Sequence, residues 1–99
     1  MMEQFDVSTV VRGVDRPDEI EYLLSQFGCR PRLLQHRDVT VFVSSERAFS
    51  PNCAMASFMR KLECLRVRFD YITVGDAWEA LAGYEAALAG LDGLVRQAA

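Results

Sequence analysis

The sequence predicts an α+β fold in which two β-α-β units share one sheet and a further helix follows. Three observations carry that expectation. Apolar and polar residues alternate in "FDVSTVVR", "VTVFVSS" and "RVRFDYITV", as strands require; apolar residues recur every three or four positions in the stretches beginning at Pro17, Pro51 and Asp76, as helices require; and Gly, Pro, Asp or Ser stands at the changes of period.

Taken in order, residues 5–12 form the first strand, with Phe5, Val7, Thr9 and Val11 on one face. A helix follows from about Pro17. Proline suits the first helical turn, Asp15 is placed to cap it, Ile20, Leu23, Leu24 and Phe27 make its apolar stripe, and Gly28 ends it. "RPRLLQ" and "VTVFVSS" flank the polar "HRD" and read as two strands joined by a tight turn, Pro31 confining the first to a strand start or an edge. Ser50-Pro51 opens a second helix that turns Met55, Phe58, Met59 and Leu62 inward. "RVRFDYITV" predicts a strand over 66–74, with Val67, Phe69 and Tyr71 on one face and Arg68 and Asp70 on the other. The last helix runs from Asp76 to about Gln97, striped by Leu81, Tyr84, Leu88, Leu91 and Val95. Gly83, Ala86, Gly90 and Gly93 lie opposite that stripe, where small residues let a neighbour come close.

This order, β-α-β-β-α-β-α, is that of a ferredoxin-like fold over residues 5–74 with an added C-terminal helix over 76–97, all in one domain spanning 1–99. If "RPRLLQ" is not a strand, the alternative is a small three-layer α/β or half-thioredoxin-like arrangement around a parallel sheet. The expected polar side of the sheet gathers Asp6, Ser8, Thr40, Ser44, Arg68 and Asp70, with Phe42, Val10 and Ile72 covered by the last helix or by another subunit.

Composition narrows the function. With 51% hydrophobic and 25% charged residues the chain has the balance of a globular protein. It has no apolar run long enough to cross a membrane and no leader-like N-terminus, so a cytoplasmic protein without a membrane partner is expected. Cys29, Cys53 and Cys64 are spaced neither as a disulfide framework nor, with His36 alone, as a metal site; no metal and no cofactor are expected. Residues 30–68 hold eight basic and three acidic side chains, a net of +5 against −3 for the whole chain, and read as a solvated basic surface. Phe42 is the one aromatic available on a central strand, too little for an RNA-stacking sheet, so nucleic acid is not an expected partner. No Ser/His/Asp set, paired carboxylates or phosphate loop is present, and enzymatic activity is not expected.

The turn "VVRGVDRPDEIEYLL" resembles the start of an ACT domain, a regulatory module in which a first strand runs through a Gly-x-Asp-Arg-Pro-Gly-like turn into a helix. Gly13, Asp15, Arg16 and Pro17 match that pattern, and Asp18 stands where the family has glycine. The resemblance implies a ligand site at Gly13, Asp15, Arg16, Pro17 and Asp18, commonly for an amino acid, and paired domains. The carboxylates at this helix start disfavour an anion and favour an amino-bearing group.

A second segment, "VTVFVSSERAFSPNCAMASFMRKLECLRVRFDYITV", resembles the front half of a monothiol glutaredoxin, with Cys53 at the position of the reactive cysteine. That resemblance implies a degenerate thiol-redox protein centred on Cys53, whose thiolate a helix start would favour. A third reading is a small stand-alone binder that inhibits or adapts a larger protein. The first and third imply a homodimer or a protein partner.

Overall fold

The computed structural model describes residues 2–28 and 31–98, with side-chain surroundings through residue 90. Its elements are β1 (Glu3–Arg12), α1 (Pro17–Ser25), β2 (Arg32–His36), β3 (Val39–Ala48), α2 (Pro51–Cys64), β4 (Tyr71–Val74) and α3 (Ala77–Ala98). They form a four-stranded sheet in the order β2-β3-β1-β4, antiparallel throughout. This is the ferredoxin-like α+β arrangement with an extra C-terminal helix. β3 and β4 run in the same sense but β1 separates them, so the parallel sheet of the alternative architectures does not form.

β1 and β3 pair over ten residues, from Glu3 opposite Ala48 to Arg12 opposite Val39. Val7, Val11 and Phe42 face α1 and α2 and pack with Leu24, Ala54, Phe58 and Leu62. Val10, Val41 and Val43 face the other way and pack with Ala80, Leu81 and Tyr84 of α3. Each fully buried Phe or Leu contributes about 1.5–3 kcal/mol. The register corrects the expected polar face. Thr40, Ser44, Phe42 and Ile72 lie on the α1/α2 side, whereas Ser8 and Val10 lie under α3.

Local sequence accounts for the ends of the elements. Pro31 precedes the edge strand β2, and the two-residue turn Arg37-Asp38 closes the β2–β3 hairpin with Arg37 at φ 57. The Ser50 side chain accepts the Cys53 N–H and caps α2. Asp76 caps α3 by accepting the Glu79 N–H at 2.9 Å. At the end of α2, Arg66 and Val67 donate their N–H groups to Glu63 and Leu62, with Arg66 at φ 57. This is a Schellman closure with arginine where glycine is usual, at a cost of about 1 kcal/mol.

Other expectations are corrected. β4 begins at Tyr71 rather than at residue 66, because residues 65–67 are spent on that closure and ladder pairing with β1 starts only at Tyr71; Val67 and Phe69 pack on the α1/α2 core, while Tyr71 packs under α3. In α1 only Leu24 is sealed; Leu23 remains 37% exposed, and Phe27, in the turn that follows the helix at Ser25, 43%. Leu88 is half exposed, and Leu91, Val95 and Gly93 lie outside the residues whose side-chain surroundings are described. Gly83 does meet a neighbour: a Cβ there would run into the Tyr71 phenol, while Gly90 faces open space.

Between β3 and α2 lies one buried charge. Glu46 is 3% exposed and accepts hydrogen bonds from Ser44 Oγ (2.8 Å), Ser57 Oγ (3.0 Å) and Lys61 Nζ (2.7 Å). Burial pushes its pKa up, but hydrogen bonds from Lys61, Ser44 and Ser57, with the Lys61 charge, outweigh burial and leave it below the ordinary 4.5. Because the folded pKa is depressed, the group's stabilisation is present above the unfolded value and is lost as pH falls through the folded one.

Two sets of variants test this packing. Lys61→Met leaves the Glu46 carboxylate buried with fewer donors and is expected to cost about 3 kcal/mol in denaturant titration; Glu46→Gln is expected to flatten the acid limb of the stability–pH curve, and an unchanged limb would contradict the assignment. Gly83→Ala is expected to destabilise by about 1–3 kcal/mol through overpacking on Tyr71. By contrast, Gly90→Ala is expected to stabilise by up to about 1 kcal/mol, since it gains helix propensity without a clash.

Candidate functional site

The chain leaves β1 at Arg12 and reverses through Gly13, which adopts φ 65 and donates its N–H to Asp38 O of the hairpin turn at 3.2 Å. A left-handed residue is required there, and glycine takes it without steric cost. Val14 packs on the α1/α2 core, and the chain then enters α1 at Pro17.

Arg16, not Asp15, occupies the N-cap position, and its side chain makes no capping hydrogen bond. The expectation that Asp15 caps α1 is therefore corrected. Among the described residues neither the Asp15 nor the Asp18 carboxylate joins a hydrogen bond or an ion pair. Both are exposed.

Beside this turn lies an open hollow of about 580 Å³. One wall is the end of β1 and the turn, from Val11 to Arg16; the second is Glu19, Ile20 and Leu23 of α1; the third is the segment Leu65 to Arg68 that follows α2. The third wall is held against β1 by Asp70, whose carboxylate accepts the Arg12 N–H at 3.0 Å and whose own N–H reaches Val10 O at 2.8 Å. A smaller hollow of about 290 Å³ lies on the other side of the turn, between Gly13–Asp15 and the β2–β3 hairpin with Arg37 and Asp38. Asp15 thus borders both.

Of the residues singled out from sequence, the structure brings Gly13, Asp15 and Arg16 to the larger hollow and leaves Pro17 and Asp18 off its lining. Arg66 and Arg68 join from fifty or more positions away in the chain. Their sequence signal was the positive balance of residues 30–68, which by itself has no address.

Cys53 is exposed in the first turn of α2, eleven residues before the exposed Cys64 on the same helix; Cys29 lies outside the described residues. Among the described residues no three His, Cys, Asp or Glu side chains gather as a metal site, and no helix is long and apolar enough to cross a membrane. No family model, curated protein or solved structure matches the chain.

Proposed function

We propose that the protein is a non-enzymatic regulatory or protein-binding module, ACT-like in its opening turn, that senses an amino-bearing small molecule of the amino-acid type in the hollow beside Gly13–Arg16. The observation that carries this reading is Asp15: a carboxylate on the wall of a concave surface, not consumed by the helix start next to it. An ammonium group is its natural counterpart, and needs no cofactor. A protein partner, a second copy of the chain first among the candidates, is in keeping with the exposed Phe49 (71%), Tyr22 (65%) and Trp78 (62%). A cytoplasmic setting belongs to the same proposal.

A second reading, a degenerate glutaredoxin-like thiol protein, rests on the exposure of Cys53 at a helix start. Alkylation against pH discriminates it: Cys53 must react faster than Cys64 near neutrality, and equal rates remove the reading.

The main proposal is tested by thermal unfolding of the full chain with a panel of amino acids. At least one is expected to raise the melting temperature. Asp15→Asn is expected to leave the ligand-free melting temperature within about 2 °C, since no cap is lost, and to abolish the ligand response. No response from the parent protein to any amino acid would reject the site.

A further inference from the structure

The lining of the larger hollow is unbalanced in charge. Arg12, Arg16, Arg66 and Arg68 face Asp15 and Glu19, four positive groups against two negative, on a chain whose net charge is −3. Arg12 is engaged with Asp38 at 3.4 Å. Arg16, Arg66 and Arg68 join no ion pair among the described residues. Setting Arg12 aside leaves three guanidinium groups and two carboxylates, an excess of one positive charge.

A further observation points the same way. Arg66 holds a left-handed backbone position at which glycine would close the end of α2 with less strain, so its guanidinium is carried at this rim against local preference. The acidic residues of the turn, read alone, disfavour an anion; the arginines brought by the segment after α2 reverse the balance on the opposite wall.

We infer that the ligand of this hollow is a net-anionic amino compound with two acidic groups, its ammonium at Asp15 and its oxyanions on the guanidinium groups of Arg16, Arg66 and Arg68. This rests on the amine reading of Asp15 given above. One ammonium and two carboxylates give the ligand a charge of −1, which neutralises the excess, and a phosphate in place of one carboxylate makes it about −2. Guanidinium groups pair with carboxylate and phosphate alike through parallel N–H donors, so either can supply the second acidic group.

The test uses the full chain at low salt, with thermal unfolding and calorimetric titration against glutamate, O-phosphoserine, glutamine, glutarate and 1,4-diaminobutane. Glutamate or O-phosphoserine is expected to bind best, and the tighter of the two identifies the second acidic group as carboxylate or phosphate. Glutamine, lacking one charge-assisted contact, is expected to bind about 10- to 100-fold more weakly. Arg66→Gly is expected to raise the ligand-free melting temperature by about 5 °C while weakening glutamate or O-phosphoserine, a combination that a merely structural role would not produce. Arg68→Gln is expected to weaken the same ligands without the gain in stability. Equal binding of glutamine and glutamate overturns the inference and leaves the amine reading standing. Equal binding of glutarate and glutamate removes the amine and, with it, the charge assigned to the ligand. An undiminished response in both arginine variants also overturns the inference, and no response to any probe overturns both readings.

Discussion

The ten-residue antiparallel ladder between β1 and β3 is the constraint on which the rest of the molecule depends. Over Val7–Val11 and Val39–Ser44 both strands are covered on both faces, so successive residues there alternate between two cores rather than between a core and water. Val7 and Phe42 go to α1 and α2, Val10 and Val41 to α3. A slip of one residue would exchange the two sets and place Glu46 under α3, away from Lys61 and Ser57. The buried carboxylate thus acts together with the valines to specify register: it is satisfied in one pairing only.

The ladder also sets the position of the hollow. β1 ends at Arg12, opposite Val39, and the hairpin turn at Asp38 receives the Gly13 N–H. From that fixed point the chain must turn out to α1. On the other side of β1 the segment after α2 returns to begin β4, and Asp70 fastens it to Arg12 and Val10. Three parts of the chain therefore converge at one end of the sheet without filling the space between them. α1 is thinly embedded, since only its Leu24 is sealed from solvent.

Strain and charge coincide at this end. Arg37 and Arg66 both adopt left-handed backbone conformations, and each borders a hollow beside Gly13–Asp15. Glycine at either place would relieve the backbone and remove a guanidinium. The fold tolerates the cost because the hairpin register and the Schellman closure fix those conformations from both sides.

The elements themselves were legible in the sequence. Period-two runs marked β1 and β3, Pro17, Ser50-Pro51 and Asp76 marked the helix starts, and "HRD" marked the hairpin, because each signal is carried by neighbours in the chain. Gly13 and Asp15 could be singled out for the same reason. The start of β4 was not legible: "RVRFDY" alternates as a strand does, but its first half is consumed by the turn that ends α2, and only the distance the chain must cover back to β1 decides that. Nor could alternation alone say that Phe42 and Ile72 share one face and Val10 lies on the other, since period two separates faces within a strand and leaves their relation across strands to register. The arginine wall belongs to the same class. Sequence held the charge and the turn as separate facts, and antiparallel pairing of β1 with β3 and β4 brought Arg66 and Arg68 to Asp15, because hydrogen-bonded strands place residues side by side without regard to their separation along the chain.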